Sequence, residues 1–297
     1  MPPRWLCVLI VLSWLFSTGP LVWKELRPLL LANQPPGYSI GLLDDARGDK
    51  LPIRWTVHLG DGEAADQLNA HSAESWVETH PRQDEVTFHT RLTASRLRVA
   101  PLKFGPLTLH RMETAERIDR REFRLRRFAV EMVFDIDALG LKIERAGCKS
   151  EATVEAGTLR GTLELTLPGV EPFRLDIPEV QLPNSGKVEL PLHLYDKIEG
   201  LYPGRAWLVP MIDPVRSIPG FLQGGGKVEM KNVAARVLDQ VEPLPGHPDL
   251  LCHVVVYDTE TRPKIYVQVG KQLLLRQETV YDGQRIVIQR AQLHTDR

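Results

Sequence analysis

Three cysteines in 297 residues are too few for a disulfide scaffold. Cys7 falls inside an apolar run, which leaves Cys148 and Cys252 for the rest of the chain. If the bulk is exported these two can bridge and close a long loop. The plainer expectation is two separate buried thiols. An excess of one charge is missing too. Lys and Arg total 37 against 38 Asp and Glu, a net charge of −1, so no global field draws nucleic acid. The common catalytic signatures are absent: no Gly-x-Ser-x-Gly elbow, no His-Glu-x-x-His, no Cys-x-x-Cys and no Gly-x-Gly-x-x-Gly fingerprint. Gly224-Gly225-Gly226-Lys227 is followed by Val228 where a phosphate loop needs Ser or Thr, so it is a turn. Of the nine histidines, His247 and His253 come nearest to a cluster, with Cys252 and Asp249. Adjacent strand residues point to opposite faces, so Cys252 and His253 do not share an ion. No metal and no cofactor is expected.

Long hydrophobic runs are scarce, and the chain opens on the one it has, Trp5 to Phe16. A bilayer span needs about 20 residues. Continuing through Pro20 to Trp23 reaches that length without a formal charge, and places Trp5 and Trp23 at the two ends, where indole rings favour the interface. Pro20 after Ser17-Thr18-Gly19 makes a poor cleavage site. An uncleaved anchor is therefore preferred to a cleaved signal peptide. The expectation is a single-pass membrane protein with its bulk outside the cytoplasm, secreted or periplasmic if the segment is cut.

Beyond residue 50 the dominant signal is alternation. Leu51, Ile53, Trp55, Val57 and Leu59 interleave with Arg54, Thr56 and His58, the period of a strand with one apolar face. Val86 and Phe88, then Leu97 and Val99, repeat the pattern. In the stretch from Phe123 to Phe134 the parity changes near Arg126-Arg127, which indicates a β-bulge or bend. Leu159 to Leu167 and Phe173 to Ile177 flank Pro168-Gly169 as a hairpin, and Val188 to Leu194 continues the series with Pro191 marking an edge strand or bulge. Asp282-Gly283 marks another turn. Ala64 to Trp76 suggests a short helix. Residues 196–225 have the proline and glycine of a long packed loop or domain seam, and 241–248 that of a linker.

The fold class is thus mostly β: an antiparallel sheet-rich domain, a sandwich or a curved open sheet, behind the N-terminal segment. The division is 1–31 anchor or signal, 32–50 linker, 51–241 main β domain, and 249–297 a small C-terminal β domain or a continuation.

The sharpest local charge signal is a basic cluster. Arg120, Arg124, Arg126 and Arg127, with Arg117 and Arg121, are the candidate ligand-binding residues, suited to lipid headgroups or an acidic partner. A solvated, ion-paired strand face competes with that reading. Asp135, Asp137, Glu189 and His193 are the only acid–base candidates, and no pocket is legible around them. The leading expectation is a membrane-tethered, non-enzymatic envelope protein that binds a partner or supports an assembly. A lipid or apolar-ligand module with a concave sheet face, and a hydrolase on a β scaffold, are the alternatives.

Overall fold

The computed structural model describes residues 36–39, 52–60, 71–80, 82–102, 105–119, 124–138, 141–182, 194–212, 230–259, 262–281 and 284–291. Its seventeen strands are β1 (Gly37–Ser39), β2 (Ile53–Gly60), β3 (His71–His80), β4 (Glu85–Leu102), β5 (Gly105–Asp119), β6 (Leu125–Ala138), β7 (Leu141–Glu155), β8 (Thr158–Thr166), β9 (Phe173–Gln181), β10 (Lys197–Glu199), β11 (Ala206–Ile212), β12 (Met230–Val237), β13 (Glu242–Leu244), β14 (His247–Tyr257), β15 (Lys264–Gln268), β16 (Leu274–Tyr281) and β17 (Gln284–Arg290). There is no helix among the described residues. The segment expected to anchor the chain, 1–31, lies outside them, as do Val188, Pro191 and the Asp282-Gly283 turn. Among the described residues no helix is long and apolar enough to cross a membrane.

Fifteen strands form one sheet in the order β11-β12-β14-β15-β16-β17-β2-β3-β4-β5-β6-β7-β8-β9, with β13 paired to β14. Neighbours are antiparallel throughout. β1 and β10 make a separate two-stranded ribbon. The described residues of 249–297 join the same sheet as those of 51–241, because β17 pairs with β2 from Arg285 opposite Gly60 to Arg290 opposite Trp55.

The period-two pattern explains which side faces in. Trp55, Val57, Ala73, Leu92, Phe134, Cys148, Leu163, Val237, Val255, Val267 and Ile288 belong to one cluster that runs across a single face from β12 to β8. Burial of Trp55 and Val57 to 1% requires that this face be covered. Leu194, Ile198 and Leu201, around β10, supply part of the cover. The segment is pinned there by Asp196, whose carboxylate accepts from Arg290 Nη1 at 2.7 Å while its carbonyl accepts from Leu274 N at 2.8 Å. β14 is buried on both sides: Val255 packs in this cluster, and Cys252 and Val254 pack with Leu244, Tyr266 and Leu275 on the other face.

Three expectations need correction. Residues 71–76 are not helical. They belong to β3, held between β2 and β4, with Ala73 opposite Leu92 and Trp76 opposite His89. The strand was hard to see because small Ala73 and Ser75 carry the buried side. Residues 206–212 are not loop but strand β11, paired along its length with β12, and Pro210 sits in the strand at the end of the sheet order, where a missing N–H is tolerated. Residues 241–248 are not a linker: β13 turns at Gly246 (φ 82°) straight into β14. Cys148 and Cys252 are both buried and unbridged, in separate clusters.

Candidate functional site

Strands β3 to β9 carry an apolar face and a charged face, and the register aligns each into rows. On the charged face Arg54, Glu74, Arg91, Glu113, Glu131, Lys149, Glu164 and Arg174 stand opposite one another strand by strand from β2 to β9. The row carries four positive and four negative charges, and cross-strand pairs of opposite sign favour the sheet. Glu113 accepts from both Arg91 and Arg111, which holds its carboxyl below the usual carboxylate range against an opposing desolvation. A face built this way stays wet.

The arginine cluster lies at one end of that face. Arg120 is outside the described residues. Arg124 is exposed just before β6, and its carbonyl accepts from Asp119 N at 2.9 Å. Arg126 is the unmatched residue where the β5–β6 register shifts between Arg117 and Ile118, the place of the parity change in the sequence. Its guanidinium meets Asp119 at 3.1 Å. Arg127 meets Glu151 at 2.7 Å, and Arg117 pairs with Glu85. Lys149 and Arg127 together keep the Glu151 carboxyl below its ordinary range. These arginines are brought together, but Arg126 and Arg127 already carry carboxylate partners.

Of the acid–base candidates, Glu189 and His193 lie outside the described residues, and Asp137 is exposed. Asp135 sits at a crease. The β5–β6 register shifts between Leu109 and Arg111, leaving His110 unmatched, and the β6–β7 register sets Glu144 and Arg145 against Asp135 alone. The β4–β5 register slips alongside, between Thr93 and Leu97. Asp135 ties this line together: Oδ1 accepts from Arg145 N at 2.8 Å, and Oδ2 lies 2.9 Å from His110 Nε2. Arg145 has φ 55°, a left-handed conformation that a non-glycine side chain resists, and its amide is aimed at the carboxylate. The bond from Arg145 holds the Asp135 carboxyl below its usual range, and His110 adds to it against the opposing desolvation. An Asp–His pair can orient an imidazole for acid–base work. Here the other carboxylate oxygen, Oδ1, is committed to a backbone amide across a bulge, which makes the pair a clamp on strand geometry. Sequence reasoning missed His110, twenty-five positions from Asp135, since only the pairing of β5 with β6 joins them.

The apolar face is the larger feature. Over β5 to β9, Met112, Met132, Ile136, Ile143, Leu165, Leu167, Leu175 and Ile177 pack against the core cluster yet stay only partly buried. Across β14 to β16 the same face is closed, with Val267 and Leu274 at 0% exposure, and on β17 Ile288 is buried while Ile286 is partly open. At the β8–β9 hairpin Val170 and Phe173 are exposed at 61% and 56%. Among the described residues no group of three His, Cys, Asp or Glu side chains is arranged to hold a metal ion.

No family model and no curated protein matches the chain. Among solved structures it is similar to a β-barrel-like protein of a domain of unknown function, DUF1849, from Brucella abortus. The two are 9% identical, the match covers 81% of this chain and 95% of that one, and the TM-score is 0.40.

Proposed function

We propose that this protein is a non-enzymatic binding protein, held at a membrane by its N-terminal segment with its bulk outside the cytoplasm, and that the β5–β9 wing takes an apolar ligand such as the acyl chains of a lipid. The observation that carries the reading is the contrast within one face: closed over β14 to β16, while over β5 to β9 Met, Ile and Leu side chains stay partly open beside the buried Leu109, Phe134, Ala146, Cys148 and Leu163. Apolar side chains left part-exposed on a continuous surface are where an apolar ligand gains most from leaving water. Arg124, Arg126 and Arg127, with Arg120 from the same sequence run, belong to the charged side of the sheet rather than to this wing's apolar face, and are proposed separately as a contact for headgroups of the membrane surface or an acidic partner. The test is solvent extraction of the full-length protein, purified in mild detergent, followed by mass spectrometry. Reproducible co-purifying lipid, lost when Leu165 and Leu175 are both changed to Gln in a chain that still folds, supports the reading. A lipid-free protein that takes up no fluorescent acyl probe defeats it.

A second reading, a protein-binding or assembly-supporting role, is favoured by Val170 and Phe173, which stand exposed together at the β8–β9 hairpin. It predicts cross-linking from membranes to a reproducible protein partner, abolished by Phe173→Ser.

A further inference from the structure

The β8–β9 hairpin ends the open wing on an apolar tip. Pro168 and Gly169 fill the two central positions of a tight turn, closed by Val170 N donating to the Leu167 carbonyl at 3.1 Å. Gly169 has φ 76°, which this kind of turn requires at its second central position, and Pro168 pre-sets the first. The turn is fixed before it meets anything, and the residues that follow it, Val170 and Phe173, are 61% and 56% exposed. Phe173 is directly opposite Leu165, and Leu175 is opposite Leu163. Leu165 and Leu175 belong to the partly open apolar face, so the exposed tip runs onto that face without a polar break. On the same side of the wing β4 closes on Leu102 and β7 opens on Leu141. The opposite strand ends are polar: Arg82, Gln83 and Asp84 join β3 to β4, Asp119 closes β5 and Glu155 closes β7. We propose that the β8–β9 tip docks on a lipid bilayer by inserting Val170 and Phe173, and that lipid passes between the bilayer and the wing at this point.

Such docking rests on the wing's binding of lipid and adds the route by which the lipid arrives. An acyl chain that crosses water exposes its whole length on the way. A tip seated in the bilayer removes that step, because the apolar surface continues from Phe173 to Leu165 and Leu175. This continuity with the wing selects a bilayer as the occupant. The rest of the tip agrees with it: Pro168, Gly169 and Pro172 carry no side-chain donor or acceptor with which to read a protein surface. Charge at the tip is mixed, Glu171 against Arg174, both exposed, so attachment is apolar and insensitive to salt. Burying an exposed Val or Phe side chain shifts a partition equilibrium by about 10-fold or more. The competing account is that the two residues are ordinary scattered surface apolars, which predicts no contact with lipid.

The test uses full-length protein reconstituted in phosphatidylcholine vesicles. Cys7→Ser leaves Cys148 and Cys252, which are 5% and 0% exposed, so a thiol-reactive fluorophore can be placed at Val170→Cys, or at Glu155→Cys on the polar end. Brominated acyl chains should quench the label at position 170 and not the label at position 155, in low and high salt alike. In unlabelled protein, Val170→Asp with Phe173→Asp should slow uptake of a fluorescent phospholipid from donor vesicles by about 10-fold or more. The same probe delivered in detergent, which needs no docking, should enter as it enters the parent. Both positions are exposed, and an unchanged thermal midpoint checks the fold. A parent that takes up no lipid by either route defeats the lipid reading and the docking with it. Uptake from vesicles at the parental rate by the double variant, an unquenched label at position 170, or equal quenching at position 155 overturns the docking alone. Cross-linking from position 170 to a protein instead of lipid overturns it in favour of a protein partner.

Discussion

Removing the Asp135 carboxylate should loosen the crease that runs across β5, β6 and β7. In Asp135→Ala the Arg145 amide, fixed at φ 55°, loses its acceptor, and His110 loses its carboxylate. A hydrogen bond to a charged group contributes about 1.5–3 kcal/mol when buried. The side chains of Asp135 and His110 are 23% and 34% exposed, so water recovers part of each. The expected loss is about 2 kcal/mol, or about 3 °C in Tm for a chain of this size. Urea unfolding at several pH values carries the sharper test. The Asp135 pKa is lowered by folding from an ordinary value of 3.8, above all by the Arg145 amide. A carboxyl with a lowered folded pKa contributes its full stability above the unfolded value and loses it as pH falls through the folded value. The gap between parent and Asp135→Ala should therefore be widest near pH 6 and narrow once pH drops below 3.8. Asp135→Asn keeps an acceptor for Arg145 and should lose less, about 1 kcal/mol. A gap that is absent at pH 6, or unchanged from pH 6 down to pH 3, refutes the reasoning.

Gly161→Ala should destabilise, since its new Cβ would lie 2.7 Å from Ala152 Cβ and 2.8 Å from Ala152 Cα; the overpacking cost of about 1–3 kcal/mol outweighs the roughly 0.4–1 kcal/mol gained in the unfolded chain, and a lower urea midpoint shows it. Ala156→Asn should stabilise by up to about 1 kcal/mol, because Ala156 (φ 49°) and Gly157 (φ 80°) form the β7–β8 turn in a conformation that Asn-Gly favours; an unchanged or lower Tm counts against this. Asp196→Ala strands the Arg290 guanidinium, 18% exposed and 6.0 Å over the Trp55 ring. Breaking such a pair should cost about 2–4 kcal/mol and speed hydrogen exchange across 194–201 before the rest of the sheet; uniform exchange across the chain contradicts it.

Amino-acid order alone carried the strand content, through alternation strong enough to mark β2, β4, β6 and the β8–β9 hairpin. It also carried the irregularity at Arg126, because an unmatched residue flips every later side chain to the other face. Leu141 and Ile143 marked where β7 opens, but β3 and the rest of β7 were not legible, since their buried sides use Ala73, Ser75, Ala146, Cys148 and Ala152, too small or too polar to register as alternation. The arginine cluster was visible as a run of charge, but its ion pairs with Asp119 and Glu151 were not: Glu151 is twenty-four positions from Arg127 and meets it only through the β6–β7 pairing.

What the tertiary structure decided is adjacency. Local sequence sets the period of each strand, because side-chain direction is a property of neighbouring residues. Which strands pair, and at what register, depends on burial shared by residues far apart in the chain. That is why the His110–Asp135–Arg145 clamp and the union of β14 to β17 with the rest of the sheet became visible only once the strands were placed side by side.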